Sequence, residues 1–151
     1  MRVLREFATL SGEVGSEVCA SDWYEVSQTR ISNFAEATDD HQWIHVDVER
    51  ARRETPERST VAHGYLTLSL MSPLFESSLL VEDARVCINY GFNRIRFTAP
   101  VVSGERIRGH FKLKEYAEIT AGAQLTWEVA IERASGGKPA LVAEWVMRML
   151  K

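Results

Sequence analysis

The sequence lacks the features that mark secreted, disulfide-bonded and membrane proteins. Its two cysteines, Cys19 and Cys87, are too few for a disulfide framework. Because both lie in apolar-patterned segments, we expect buried, reduced thiols. No stretch approaches the roughly 18 uninterrupted apolar residues of a membrane-spanning helix, and the first residues lack the apolar core of a signal peptide. We therefore expect a cytoplasmic protein with no membrane partner.

An excess of positive charge is missing as well. The chain carries 18 lysines and arginines against 21 aspartates and glutamates, a net charge of −3. Nucleic-acid-binding proteins usually carry clustered positive charge, so we expect no nucleic-acid partner. No repeat, low-complexity tract or linker divides the 151 residues. The length therefore predicts one domain over residues 1–151, large enough to form a core without a metal or a disulfide.

The C-terminal half has a period of two in its hydrophobic residues. Apolar and polar residues alternate over three stretches, 106–114, 123–132 and 141–149. Turn residues separate the stretches, at 103–104, 120–122 and 135–139. This pattern predicts strands with one buried face, and their short connections predict antiparallel neighbours. An earlier strand is predicted over Val86–Phe97.

Helical signals lie upstream of the strands. Ser27 is predicted to cap a helix over Gln28–Ala37, and Asp47 to cap a short helix over Val48–Arg53. The segment Gly64–Leu80 is apolar nearly all round, which predicts a helix buried on all sides and kinked or ended in its first half by Pro73. One buried helix against a curved antiparallel sheet is an α+β fold.

The segment 38–47 is unusually rich in groups that take part in chemistry. It holds three carboxylates and two histidines directly after the first helix. A solvated loop is one interpretation, although Trp43 and Ile44 would anchor it in apolar surroundings. A metal site is another, from the ligands Asp40, His41, His45 and Asp47. Chelation by His41 and His45 needs a helix, however, and Asp47 as a helix cap predicts that this stretch is not helical.

Two catalytic interpretations of the same segment remain. A Ser–His–Asp hydrolase triad is disfavoured because no G-x-S-x-G motif is present. A carboxylate and an imidazole converging on one water is the other arrangement, and histidine supplies a base that works near neutral pH with little tuning. We consider Asp40 and His45 the candidates for this pair.

A second candidate segment, Ser59–Leu66, precedes the predicted buried helix. The N-terminus of a helix exposes unpaired backbone N–H groups, and Gly64 would let a ligand oxygen approach them closely. Such a site can stabilise a developing oxyanion. The alternative is structural: Gly64 permits tight packing, and His63 caps the helix or packs against it.

Together these segments resemble the MaoC-like dehydratase family, which includes the (R)-specific enoyl-CoA hydratases. Residues 39–45, Asp-Asp-His-Gln-Trp-Ile-His, match the family motif Gly-Asp-x-Asn-Pro-(Leu/Ile)-His, and residues 61–66, Val-Ala-His-Gly-Tyr-Leu, match its apolar-His-Gly segment. The similarity covers nearly the whole chain. The forms at residues 40–45 and 89–93 look closest to a subgroup related to nodulation protein N.

The resemblance implies a fold and a set of roles. The fold would be the hot-dog fold, an antiparallel sheet wrapped around a long central helix. Asp40 and His45 would be catalytic and would hydrate a trans-2-enoyl thioester, carried on CoA or on acyl carrier protein. The implied oxyanion and substrate-binding residues are Gly64, His63, Ser69, Trp43 and Asn93. No metal and no cofactor is implied, and members usually form homodimers by joining their sheets.

Fold alone does not decide the chemistry. Acyl-CoA thioesterases share the hot-dog fold, and a non-catalytic acyl-thioester-binding module would keep the pocket, so both remain alternatives. The chain also departs from the family motif at three positions, with Asp39 for glycine, Gln42 for asparagine and Trp43 for proline. If the glycine serves a positive φ, aspartate adopts that conformation at modest cost.

Overall fold

The structure is a computed structural model that describes residues 1–151. Its first half contains three short strands, a 3-10 helix (Phe7–Glu13) and five helices. They are β1 (Arg2–Leu4), β2 (Glu17–Ala20), β3 (Tyr24–Glu25), α1 (Gln28–Thr38), α2 (Trp43–Val46), α3 (Val48–Glu54), α4 (Gly64–Ser69) and α5 (Met71–Ser78). The second half contains the remaining strands, β4 (Leu79–Val81), β5 (Val86–Phe97), β6 (Arg106–Ile119), β7 (Gly122–Arg133) and β8 (Leu141–Leu150).

The long strands form an antiparallel sheet in the order β2-β6-β7-β8-β5, with β3 also paired to β6. The predicted alternation is confirmed, because the odd-numbered apolar residues of β6, β7 and β8 are buried on one face. The bounds of β5 are those predicted. The strands β1, β2 and β3 were not predicted, since two to four residues are too few to show a period. Strand β1 pairs in parallel with β4, apart from the main sheet.

The central helix of the fold is interrupted. Helices α4 and α5 are separated by Leu70, and Pro73 follows in the first turn of α5. Proline has no N–H to donate to the carbonyl four residues earlier, which accounts for the break. The prediction of burial on all sides is wrong, because Tyr65 is 69% exposed and Ser69, Pro73, Glu76 and Ser77 are exposed as well. The helix also ends at Ser78 rather than Leu80, because the next residues pair with β1 as β4.

Helix α5 packs against the buried face of the sheet. Its Phe75 ring makes edge-on contacts with Phe111, Trp127 and Trp145, at centroid distances of 5.1, 5.1 and 5.5 Å. The two tryptophans lie directly opposite each other on β7 and β8. A sheet curved around a helix in this way is the α+β, hot-dog arrangement that the resemblance implies.

Strand β5 differs from the other long strands. It pairs only with β8, and its residues are exposed or half-buried on both faces. The large apolar side chains that it exposes are Val86, Ile88, Tyr90, Phe92 and Phe97. The prediction of a buried thiol holds for Cys19 but is wrong for Cys87, because Cys87 lies on this uncovered strand. Each helix of the protein is too short or too polar to cross a bilayer.

Candidate active site

The loop that carries the candidate carboxylate begins at the end of α1. Ser27 caps the start of this helix by accepting a hydrogen bond from the Arg30 N–H, as predicted. Asp39 ends the helix in the left-handed conformation, with φ 57° and ψ 20°, at the position where the family motif has glycine. A left-handed residue is a common way to end a helix, and aspartate is among the residues that tolerate it. The turn leaves Asp40 exposed to solvent.

The candidate histidine lies on the single helical turn α2. The prediction that this stretch is not helical is therefore wrong for Trp43–Val46. His41 precedes the turn and is exposed near Glu36, with 3.7 Å between its Nδ1 and the carboxylate, so it does not join His45. Trp43 is half-buried under the Arg50 guanidinium, which lies 4.1 Å from the ring centroid. This contact anchors the start of the turn.

The His45 ring is held in one tautomer by its surroundings. Its Nδ1 lies 2.7 Å from the backbone carbonyl oxygen of Val61. Because a carbonyl oxygen only accepts hydrogen bonds, Nδ1 carries the proton and Nε2 is left with its lone pair free. Burial lowers the pKa of His45 below the ordinary 6.5; nearby His63 also lowers it, while Val61 and Asp40 act in the opposite direction. His45 is therefore a neutral base near pH 7.

His63 connects the Asp40 loop to the start of α4. It is 2% exposed, and its Nε2 donates to the backbone carbonyl of Asp40 at 2.9 Å. The His63 ring stacks on the His45 ring, with 3.7 Å between centroids and 25° between planes. The buried Nδ1 of His63 has no hydrogen-bond partner. His63 thus supports both candidate catalytic residues from inside the protein.

The side chains of Asp40, His45 and His63 lie close enough to suggest a metal site, with one potential ligand atom of each within 4.8 Å of the others. The orientation of the rings does not fit this use. Imidazole lone pairs lie in the ring plane, so an ion shared by two stacked rings would lie far out of both planes. The other predicted ligand, Asp47, caps α3 by accepting from the Arg50 N–H at 2.9 Å. The cluster suits an acid and a base better than a chelated ion.

Gly64 is the first residue of α4, where a backbone N–H has no acceptor within the helix. A Cβ at this position would lie 3.3 Å from the Phe97 ring, so a larger residue would crowd that contact. A cleft of about 310 Å³ opens beside it, lined in part by Thr67, Phe97 and Pro100. Gly64 therefore combines a donor that has no acceptor within the helix with an adjoining cleft, and none of Asp40, His45 and His63 lines that cleft.

Two predicted site residues lie apart from this cluster in the protomer. Ser69 is exposed and donates its hydroxyl to the Tyr65 carbonyl at 2.8 Å. Asn93 is exposed on β5 beside Glu144; Lys114 holds the pKa of that carboxyl below its ordinary value, and the Asn93 amide adds to the effect. No hydrogen bond links Ser69 or Asn93 to the cluster. The structure brings together Asp40, His45 and His63, while Gly64 follows His63 in the chain and Trp43 lies on the same helical turn as His45.

The structure adds two residues that the sequence did not single out. Gln28, at the start of α1, donates its amide to the His45 backbone carbonyl at 2.9 Å and accepts a hydrogen bond from Thr60. Thr60 is a polar residue that is only 1% exposed. Thr60 lies within the candidate segment Ser59–Leu66, but the sequence gives it no role of its own.

Comparisons with known proteins agree with this architecture. A model of the MaoC-like domain family matches residues 8–132. The chain is 42% identical over 142 residues to nodulation protein N of Rhizobium leguminosarum bv. viciae, covering 92% of this chain and 88% of that protein. It is 40% identical over 149 residues to 3-hydroxyacyl-thioester dehydratase Z of Mycobacterium tuberculosis (strain ATCC 25618 / H37Rv), covering 98% of both.

The fold is also found among solved structures. The (R)-hydratase from A. caviae involved in PHA biosynthesis superposes with a TM-score of 0.71 at 22% identity, covering 88% of this chain and 95% of that one. This likeness supports the hot-dog fold, while the family model and the two sequence relatives identify the family. The chain belongs to the MaoC-like dehydratase family, a family of hydratase and dehydratase enzymes, and nodulation protein N is among its relatives.

Proposed function

We propose that this protein adds water across the double bond of a trans-2-enoyl thioester to give an (R)-3-hydroxyacyl thioester, and catalyses the reverse dehydration. The observation that carries the proposal is the His45 ring, whose Nδ1 is held by the Val61 carbonyl and which has a ring nitrogen within 4.8 Å of an Asp40 carboxylate oxygen. A relative of 40% identity is named 3-hydroxyacyl-thioester dehydratase, which supports this substrate class.

In the proposed reaction, Asp40 and His45 hold one water between them. His45 Nε2 removes a proton from the water as its oxygen bonds to C3. The electron pair of the C2–C3 double bond moves towards the thioester carbonyl and forms an enolate. Asp40 then accepts this proton from the protonated His45 and delivers it to C2 on the same face. Both groups are back in their starting states, so that the net change is the addition of one water.

The enolate oxygen needs stabilisation, which we assign to the Gly64 N–H. Hydrogen-bond donors placed where negative charge develops are often the largest single contribution to such catalysis. The absence of a side chain at Gly64 allows the thioester oxygen to approach the backbone. The cleft beside Phe97 and Thr67 would then hold the part of the substrate next to the thioester.

The other predicted residues receive supporting roles. Trp43 would border the substrate, and His63 would fix the Asp40 backbone and the His45 ring. Ser69 and Asn93 remain predicted substrate contacts, since both side chains are exposed. The substrate is the thioester of CoA or of acyl carrier protein, and no metal or cofactor takes part in the proposed steps.

We also propose that the active form is a homodimer joined along β5. This strand has 12 residues and one unpaired edge. A long, apolar, unpaired edge is a ready template for pairing with another strand. A second copy pairing there would extend the sheet and cover Ile88, Tyr90 and Phe92, which are exposed in the protomer.

A panel of trans-2-enoyl-CoAs of increasing chain length, beginning with crotonyl-CoA, tests the proposed reaction. We expect the ultraviolet absorbance of the conjugated thioester to fall without added metal or nucleotide, and chiral analysis to give the (R)-3-hydroxy product. A thiol-reactive dye should detect no free CoA. Release of thiol would instead identify a thioesterase, and binding without any turnover would identify a non-catalytic module; either result would overturn the proposal.

A further inference from the structure

Two segments on either side of the His45 turn are tied together by one side chain. The Gln28 amide nitrogen donates to the His45 backbone carbonyl at 2.9 Å, and it also lies 3.3 Å from the Ser32 hydroxyl. The Gln28 amide oxygen accepts from the Thr60 hydroxyl. The first bond spans 17 positions and the second 32, so Gln28 joins α1, α2 and the strand-like segment before α4.

The same two segments also hold the imidazole. Thr60 is followed by Val61, whose carbonyl accepts from His45 Nδ1 at 2.7 Å. The Val61 N–H in turn donates to the Ile44 carbonyl at 3.0 Å. These hydrogen bonds form a closed circuit. In this circuit Gln28 holds the His45 backbone carbonyl and also Thr60, which is next to Val61, the hydrogen-bond acceptor of the His45 ring.

Only an amide fits this position. The side chain must donate to a carbonyl and accept from a hydroxyl at once, and glutamine provides both groups on one rigid plane. A glutamate could still accept from Thr60, but it would turn an oxygen towards the His45 carbonyl. A leucine of similar size would remove both bonds and leave the Thr60 hydroxyl buried without a partner.

We propose that Gln28 is a positioning residue that, through Thr60 and Val61, keeps the His45 ring in the tautomer with Nε2 free. The kinetic consequence rests on the proposed function, whereas the effect on the tautomer does not. If the Val61 carbonyl moves away from Nδ1, the ring proton of His45 can occupy either nitrogen. In the molecules that carry the proton on Nε2, that atom can no longer act as the base.

Nitrogen-15 NMR of the imidazole side chains tests the tautomer directly, with His45 assigned by comparison with His45→Gln. In the wild-type protein at neutral pH we expect Nδ1 protonated and Nε2 unprotonated. In Gln28→Leu we expect a mixture of the two tautomers. Gln124→Leu is the matched control: it removes another glutamine amide, one that accepts from Arg148 on the sheet, and should leave His45 unchanged.

Kinetics provide the second readout. We expect Gln28→Leu to lose about tenfold or more in kcat with little change in KM, because the proposal gives Gln28 a contact with the base and none with the substrate. Thr60→Val should behave similarly, and the double variant should lose no more than the worse single variant, since both act through one circuit. Gln124→Leu should retain wild-type kcat.

The outcomes separate positioning from simple stability. A Gln28→Leu protein that keeps the wild-type tautomer overturns the proposal, whether or not its melting temperature falls. If this variant does not fold, Gln28→Glu keeps the bond from Thr60 and should still show mixed tautomers; a single wild-type tautomer there also overturns it. If the wild-type protein hydrates no enoyl thioester, the NMR result still decides the role of Gln28, so the two proposals fail separately.

Discussion

The sheet and the loop region between α1 and α4 are fixed by different forces. Strands β6, β7 and β8 depend on burial, with Trp127 fully buried and Trp145 2% exposed in the core. The loop region depends on single hydrogen bonds, such as those from His45 to Val61 and from His63 to Asp40. Stability and the proposed chemistry therefore reside in separate parts of the molecule, and substitutions should affect them separately.

The largest expected effect is on catalysis in the loop region. Asp40→Asn and His45→Gln should each reduce kcat about 10²–10⁴-fold, because each removes a proton-transfer group. Asp40 is exposed, so its variant should keep the wild-type unfolding midpoint in urea. Steady-state hydration kinetics and urea unfolding measured on the same preparations check this. Near-wild-type turnover in either variant would refute the assignment of roles.

The next largest effect is on stability in the sheet. Trp127→Ala should lower the free energy of unfolding by about 3–5 kcal/mol, because it leaves a cavity beside Phe75 in the core. Glu128→Ala is the control, since its side chain lies on the outer face of the same strand and should change stability by about 0.5 kcal/mol or less. Equal losses from the two variants would contradict the burial account.

A third prediction concerns the exposed strand of the sheet. Ile88→Lys should place a charge in the proposed dimer interface and weaken association by about 2–4 kcal/mol. Light scattering with size-exclusion chromatography should then show a mass near 17.1 kDa instead of twice that value. Glu118→Lys, exposed near the end of β6, should leave the dimer intact. A monomeric wild-type protein would contradict the proposed dimer.

The pH dependence should follow the lowered pKa of His45. A neutral His45 is the active base, so kcat/KM should be level at neutral pH and fall only below pH 6.5. The unfolded chain takes up this proton near pH 6.5 and the folded protein only at lower pH, so stability should also decline as pH falls through that window. A kinetic acid limb centred above 6.5 would contradict the lowered pKa of His45.

The smallest expected effect is at the left-handed residue of the loop. Asp39→Gly should change stability by about 1 kcal/mol or less, because relief of backbone strain opposes the greater freedom of the unfolded chain. It should leave kcat/KM within about twofold. Ala121→Gly, at another left-handed residue with φ 61°, is the matched control. A large loss of activity in Asp39→Gly alone would give the Asp39 carboxylate a role in the reaction.

Much of the sheet could be predicted because burial repeats along a strand. The alternation of apolar and polar residues predicted the buried face of β6, β7 and β8, and the caps Ser27 and Asp47 predicted the starts of α1 and α3. The exposure of β5 could not be predicted in this way. Its composition, with Ile88 and Phe92, is that of a covered strand, and composition does not say whether the cover comes from the same chain.

The site could be predicted only in part, for a related physical reason. Asp40 and His45 are five positions apart and belong to one motif, so local spacing is enough to name them as candidates. Gln28 and Thr60 act through hydrogen bonds across 17 and 32 positions, which leave no periodic trace in the sequence. The one-turn helix α2 is likewise too short for a helical pattern to show.

The claim that Asp40 and His45 act together on one water is tested most directly by a double-mutant cycle in enoyl-thioester hydration. Groups that work as a unit are strongly non-additive. We predict that the double variant Asp40→Asn/His45→Gln loses about as much kcat as the worse single variant. Losses that multiply, so that the double variant is slower by the product of the two single effects, would contradict the shared site.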